Sequence, residues 1–313
     1  MTNEQLVQEL GRWTPEEVFA KTGIRSRCIA GPDETAVDMA TKAVEQLLRD
    51  HDRSKIGFLL LCTQTGDYKL PSSSCILQTK TQLPVGCGCL DINLACSGFV
   101  YGLMVAEGLL QSGSVAEVLL VNADTYTHYI HPKDAVCRPI FGDAAVATLL
   151  TNEAPGKISG FSFGSDGSQA LRMFLPAGGE RLRQFRDGEG RSSVPSDPEF
   201  MRMDGPEIFN FTLRVVPQAV SDALAKAGCS MDDIDYVIFH QANAFMLEAL
   251  RRKLAIPPAK FVVEMAETGN LVSASIPVVL EKMRRDARIK PGIRTLLCGF
   301  GVGLSWAACV VTW

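Results

Sequence analysis

Among ten cysteines and four histidines, one cysteine and one histidine stand where side-chain chemistry is favoured. Cys96 lies in Leu90-Asp91-Ile92-Asn93-Leu94-Ala95-Cys96-Ser97-Gly98, an apolar run passing into a helical pattern, with small residues on both sides of the thiol. A cysteine at a helix N-terminus feels the positive end of the dipole, which lowers its pKa and favours thiolate. His240 ends the apolar run Tyr236-Val237-Ile238-Phe239 and opens the polar segment His240-Gln241-Ala242-Asn243; Asn270 follows Gly269 in a loop before a helix. The stretch Cys298-Gly299-Phe300-Gly301-Val302-Gly303-Leu304 has the look of a dinucleotide fingerprint, but a strand-like run follows it where that motif requires a helix. It suits a tight turn whose bare backbone amides face a ligand. Taken singly, each feature has an ordinary explanation: a buried thiol, a satisfied core histidine, a Gly-Asn turn. Taken together they form a set for thiol acyl transfer. The thiolate attacks a thioester, backbone amides hold the oxyanion, and His and Asn donate to a second developing oxyanion.

The elements that must position these groups alternate between helical and strand periodicity, the signature of α/β architecture. Residues 33–50 read as an amphipathic helix with an acidic first turn, and 56–62 as a strand buried on both faces. A helix is expected over 71–82, a strand over 89–94, an unusually apolar helix over 97–111 and a buried strand over 118–122, with 144–150 following Phe141-Gly142-Asp143. The second half repeats the order: helix 217–227, strand 236–239, helices 247–254 and 275–285, strands 295–298 and 306–311. Ile56 and Ile234 lie 178 residues apart, Cys96 and Asn270 174, Leu119 and Leu296 177. Such self-similarity indicates a duplicated βαβαβ-like unit, with halves at 1–155 and 156–313. The offset sets Cys62 against His240 and Cys96 against Asn270, at equivalent strand-to-helix turns. Sites in α/β sheets gather at such carboxyl ends, so pseudo-symmetry is expected to bring both halves' turns to one place.

Composition excludes several classes. A chain of 313 residues that is 46% hydrophobic has material for one large domain or two ordinary ones. A net charge of -4 gives no global footprint for nucleic acid or an anionic membrane. Charges run through the first thirty residues, so there is no signal-peptide core, and no apolar run reaches membrane-spanning length. The cysteines sit mostly in apolar runs without a CxxC pair, which fits reduced thiols in a cytoplasmic protein. Cys87-Gly88-Cys89 has no second Cys/His pair at zinc spacing, so no metal is expected.

The motifs resemble those of thiolase-fold condensing enzymes, specifically the ketoacyl-acyl-carrier-protein synthase III family. The pieces that carry the resemblance are Lys21-Thr22-Gly23-Ile24-Arg25, Leu94-Ala95-Cys96-Ser97-Gly98-Phe99, Phe141-Gly142-Asp143-Ala144-Ala145 and His240-Gln241-Ala242-Asn243. They continue through Gly269-Asn270 with Ser273-Ala274-Ser275-Ile276-Pro277, then Gly299-Phe300-Gly301-Val302-Gly303 with Ser305-Trp306, in family order across nearly the whole chain. The resemblance implies a five-layered αβαβα core and a Cys-His-Asn triad of Cys96, His240 and Asn270. Cys96 would take an acyl group from acyl-CoA or an acyl-carrier protein. His240 and Asn270 would then stabilise the enolate of a decarboxylating malonyl thioester, whose carbanion attacks the acyl-enzyme to give a 3-oxoacyl thioester. The amides of Cys96 and Val302 would form the oxyanion hole, Val302 standing where the family usually has glycine. Asn243, Phe245, Gly301 and Gly303 are expected around the substrate. The family is dimeric without a cofactor, and a residue near Leu70 would reach the partner's acyl pocket.

Three departures accompany the resemblance. Glu17 and Lys21 stand where housekeeping members carry the aromatic-plus-arginine pair that holds the CoA adenine. Phe245 stands where a basic residue helps dock the carrier protein. The chain begins near the first helix, so the family's first strand is expected either upstream of the given start or missing from the sheet. Trp13-Thr14-Pro15 and Asn210-Phe211-Thr212 resemble more closely a branch associated with surface-polysaccharide or secondary-metabolite acyl groups. The rival functions are a thiolase-fold acyltransferase that moves the acyl group to an alcohol or amine without condensation, a papain-like peptidase and a degenerate subunit.

Overall fold

Two four-stranded sheets carry the chain. In the computed structural model, which describes residues 1–153, 155–180 and 197–313, the first half comprises α1 (Asn3–Leu10), α2 (Pro15–Thr22), α3 (Ala36–Leu47), β1 (Ile56–Cys62), α4 (Ser73–Lys80), β2 (Gly88–Ile92), α5 (Gly98–Gln111), β3 (Glu117–Asp124) and β4 (Ala144–Thr151). The second comprises β5 (Lys157–Ser165), the short ribbon β6 (Met173–Phe174) and β7 (Arg202–Met203), α6 (Gly205–Ala227), β8 (Tyr236–Phe239), α7 (Ala244–Lys253), α8 (Ser275–Arg285), β9 (Arg294–Gly301) and β10 (Ser305–Thr312).

The sheets run β2-β1-β3-β4 and β5-β10-β9-β8. In each, a parallel pair is followed by an antiparallel one: β1 beside β3 and then β4, β8 beside β9 and then β10. A single parallel bridge from Val237 to Phe261 stands where β2 pairs with β1 in the first sheet. β3 and β9 open 177 residues apart, at Glu117 and Arg294. The duplication read from sequence spacing is therefore repeated in strand order and strand direction.

Five layers result. α3 and α4 cover the outer face of the first sheet, α5 and α8 lie between the sheets, and α6 packs on the outer face of the second, with α7 against it. The middle layer explains the apolar sequence of α5: Phe99, Val100, Leu103, Ala106 and Leu110 share one buried cluster with Leu60, Val118 and Leu120 of the first sheet and Ile238 and Leu297 of the second. A helix packed on both sides leaves little face for charge, and Glu107 is the single charged residue of α5. Asp91 of β2 accepts from the backbone N–H groups of Ser73 and Ser74 at 2.7 and 2.8 Å and so caps α4, whose own Ser72 makes no side-chain cap.

Two elements differ from the sequence reading. α6 begins at Gly205, not at Pro217; Asp204 caps it by accepting from Glu207 N–H, and Pro217 lies inside it. Proline normally ends a helix because it lacks an N–H and crowds the preceding turn. Here Phe211, Thr212, Val216, Ala219 and Val220 are buried on either side of it, and their burial offsets the lost hydrogen bond. β5, pairing antiparallel with β10, went unseen because Gly160 breaks its alternation at a left-handed φ of 67° beside a register shift. Any Cβ at Gly160 would sit 2.3 Å from Ala223 O, so α6 packs directly on this kink.

Gly98, the first residue of α5, is equally constrained: a Cβ there would lie 2.2 Å from Cys62 Sγ. Gly98→Ala is expected to cost about 1–3 kcal/mol by overpacking, read as a lowered thermal midpoint by circular dichroism. Adding Cys62→Ala should restore most of it. An unchanged midpoint in the single variant would mean α5 moves aside freely.

Candidate active site

Cys96 sits in the turn between β2 and α5, two residues before the helix begins, and is 4% exposed. The β9–β10 hairpin presses on this turn. A Cβ at Gly299 would lie 2.5 Å from Cys96 O, and one at Gly301 would lie 2.9 Å from Cys96 Sγ, so both positions exclude any larger residue. The hairpin is tied down by hydroxyls: Ser305 Oγ donates to Val302 O at 2.8 Å and lies 2.8 Å from Ser97 Oγ. The backbone N–H groups of Val302 and of Cys96 itself favour the charged form of the thiol.

His240 follows β8 and is 2% exposed; its backbone N–H donates to Cys298 O at 2.8 Å. Nδ1 lies 2.7 Å from Ser275 Oγ, and the ring meets Phe300 edge-on at 5.6 Å. Gln241 beside it is wholly structural, donating to Phe239 O and Val262 O and accepting from Glu264 N–H. Asn270 is pinned through its backbone by Phe141-Gly142-Asp143: its N–H donates to Ile140 O at 2.8 Å and its carbonyl accepts from Gly142 N–H at 3.0 Å. Its Oδ1 accepts from Val272 N–H at 2.9 Å, which turns the amide nitrogen away from that turn as a free donor. Val272 pays for this loop geometry with a left-handed φ of 53°, a strained conformation for a β-branched residue. Asp124, fully buried on β3, accepts from Ser273 Oγ and from Gln64 N–H, both at 2.8 Å, and anchors the same turn.

Cys96, His240 and Asn270 line one cavity of about 390 Å³, together with Phe300 and Gly301. Its remaining wall is apolar: Ile140, Phe141, Met173, Met203, Ile208 and Phe209 among others. Of the residues expected near substrate, Asn243 and Phe245 also line it. Asn243 Oδ1 is engaged as the cap of α7, accepting from Met246 N–H, and Phe245 stacks on Phe209 with ring centroids 5.3 Å apart. Leu70, Gly303 and the Val302 side chain are not among the lining residues. The sequence reading missed Met173, Met203 and Phe209, which come from the β6–β7 ribbon and α6 and carry no motif. It also missed Asp124, which hides in a strand of apolar neighbours.

The sequence of residues 90–167 matches the family model described as 3-oxoacyl-[acyl-carrier-protein (ACP)] synthase III, and residues 224–313 match its C-terminal counterpart. The beta-ketoacyl-[acyl-carrier-protein] synthase III of Clostridioides difficile (strain 630) is 34% identical over 300 residues, covering 95% of this chain and 90% of that protein. The chain belongs to the 3-oxoacyl-ACP synthase III family. A crystal structure of a 3-oxoacyl-(acyl-carrier-protein) synthase III superposes with a TM-score of 0.94 at 43% identity, covering 100% of this chain and 95% of that one. That of the Burkholderia xenovorans LB400 3-oxoacyl-(acyl-carrier protein) synthase gives 0.91 at 34% identity, covering 100% and 89%. The molecule is thus a thiolase-fold condensing enzyme and an acyltransferase of the synthase III type.

The electrostatics of this synthase III site correct one expectation. The resting Cys96 thiol is not activated toward thiolate: burial pushes it up to about 12, and the buried Asp124 carboxylate adds to this, outweighing the two amides that favour the charged form. Burial lowers His240 to about 3, against the Val272 backbone, so the imidazole is neutral. Burial likewise raises Asp124 to about 7 despite its hydrogen-bond donors. Alkylation of Cys96 by iodoacetamide, followed by peptide mass spectrometry, is therefore expected to accelerate about tenfold per unit between about pH 7 and 10 without levelling off. A plateau near neutrality would show a dipole-activated thiolate instead.

Proposed function

We propose that Cys96, His240 and Asn270 are the catalytic triad of this condensing enzyme. The observation that carries the reading is that Cys96, His240 and Asn270 line one cavity, with the glycine backbone of the β9–β10 hairpin packed directly on the Cys96 sulfur and the Asn270 carboxamide fixed by Val272 N–H. Cys96 gives up its proton as it attacks the carbonyl of an acyl thioester. The N–H groups of Cys96 and Val302 hold the resulting oxyanion, and collapse expels the donor thiol, which takes the proton. A malonyl thioester then enters. Loss of CO2 places an electron pair on the enolate, whose oxygen accepts from His240 and Asn270. The enolate carbon attacks the acyl-cysteine carbonyl, and the new tetrahedral centre expels the Cys96 thiolate, which takes up a proton from solvent, and leaves a 3-oxoacyl thioester. The steps are acyl transfers between thioesters and one loss of CO2 to an enolate, with electron pairs moving and no external oxidant or reductant, which supports a reaction without a redox or organic cofactor.

Acyl-CoA or an acyl-carrier protein would supply the acyl group. The stacked Phe209–Phe245 pair at the cavity, where related enzymes carry a basic residue, supports a branch with a specialised donor. A homodimer is supported by the outer edge of β2, which has no strand partner among the described residues. Leu90 on that edge is 45% exposed, and Leu70 and Val85 are 83% and 99% exposed. Long apolar strand edges are normally covered. Leu70 would then complete the partner's acyl pocket. No helix among the described residues is long and apolar enough to cross a membrane, and the ten free cysteines support a reducing compartment such as the cytoplasm.

Intact-protein mass spectrometry with a panel of acyl-CoAs should give a covalent gain that Cys96→Ser abolishes and malonyl thioester discharges with CO2 release. His240→Ala and Asn270→Ala should acylate normally but lose about 10²–10³-fold in condensation. Discharge only by an alcohol or amine would assign plain acyl transfer. In parallel, Leu90→Lys is expected to elute as a monomer in size exclusion with light scattering; a retained dimer would place the interface elsewhere.

A further inference from the structure

We infer that Ser275 is a positioning residue that fixes the proton of His240 on Nε2, where it can serve the condensation step; this rests on the triad reading above. His240 is buried and neutral, so it carries one proton for two ring nitrogens, and the nitrogen that lacks it needs a donor. Beside Asn270, whose carboxamide nitrogen is already presented as a donor, the imidazole stabilises an enolate oxygen only if Nε2 bears the hydrogen. A bare Nε2 would present a lone pair to a negative oxygen. Nδ1 must then accept. The Ser275 hydroxyl lies 2.7 Å from Nδ1, and the Val272 backbone favours the protonated ring and so presents its carbonyl to the imidazole. A carbonyl accepts and never donates. The hydroxyl is able to donate to Nδ1, and it is the hydrogen-bond partner seen there among the described residues.

The same hydroxyl faces Val272 O at 3.0 Å and Gln241 N–H at 3.4 Å. Its single hydrogen serves either Val272 O or Nδ1, and the choice selects the tautomer. Pointed at Val272 O, it accepts from Nδ1–H and leaves Nε2 bare. Pointed at Nδ1, it accepts from Gln241 N–H and leaves Nε2–H in the cavity. Ser275 is buried at the first position of α8. Removing the hydroxyl takes from Nδ1 the donor that keeps it unprotonated and so frees the proton to move to Nδ1.

The test uses the full chain with 15N-labelled histidine, the His240 ring signals being assigned among the four histidines by their loss in His240→Gln. The wild type is expected to show a protonated Nε2 and Ser275→Ala a protonated Nδ1. Ser275→Ala should lose about 10²–10³-fold in malonyl-dependent condensation while Cys96 acylation, followed by mass, proceeds as in wild type. Ser275→Thr, which keeps the hydroxyl, should recover both the tautomer and the rate. A protonated Nδ1 in the wild type, or an unchanged ring and rate in Ser275→Ala, overturns the proposal at Ser275 itself, provided His240→Gln has lost condensation. If Ser275→Ala moves the proton but condensation survives in both it and His240→Gln, the failure lies with the role of His240, and the proposal falls with that reading.

Discussion

The approach of the β9–β10 hairpin to the cysteine turn is the contact on which the rest of the site depends. It brings backbone from the second half of the chain against Cys96 at a distance that no side chain at 299 or 301 would permit. In the proposed mechanism the chemistry that follows is backbone chemistry, since the oxyanion donors would be peptide N–H groups beside strand pairing and the Ser97–Ser305 hydroxyl contact. Such donors need no reorganisation when charge develops, which is where preorganised amides are worth most. The glycines therefore act twice, as space for close approach and as bare amide surface.

Burial is the second constraint. The cavity is lined by apolar side chains, and its ionisable groups are held in their neutral forms: a thiol raised by desolvation and an imidazole lowered by it. A site of this kind stores no charge at rest. In the proposed mechanism it would meet the charges of the reaction, first on a tetrahedral oxyanion and then on an enolate, with oriented dipoles and neutral donors. In low-dielectric surroundings such groups interact strongly with a developing anion, and they do not bind a resting one tightly. The neutrality of His240 also makes its tautomer a matter of consequence, because a neutral ring has one donor only.

Pseudo-symmetry explains why these parts meet. Each half delivers its functional turns at the carboxyl ends of its parallel strands, and the shared middle layer of α5 and α8 holds the two sheets face to face. The loop carrying Asn270 is clamped across this junction. Phe141-Gly142-Asp143 grips its backbone from the first half, and Asp143 is in turn held by the N–H groups of Ala30 and Thr127. A Cβ at Gly142 would strike Thr268 O at 2.5 Å, so the glycine of that motif is a packing requirement of the clamp.

Much of this was legible in the sequence. Buried strands announce themselves as short apolar runs, a helix packed on both faces lacks a polar stripe, and duplication leaves a constant offset; these are local or periodic signals that residue types carry directly. The turns bearing Cys96, His240 and Asn270 were visible because polar or reactive residues at the ends of apolar runs need a reason to be there. What only the tertiary structure decided depends on distance between remote segments. The helix through Pro217 was misread because burial on both sides overrides a local preference. The resting state of the thiol was misjudged because dipoles are read from local sequence, whereas desolvation and the nearby Asp124 come from folding. The partner of Nδ1 sits 35 residues from His240, and no spacing rule assigns a hydroxyl proton. Sequence names the groups that can donate and accept; the fold alone decides which of them face one another.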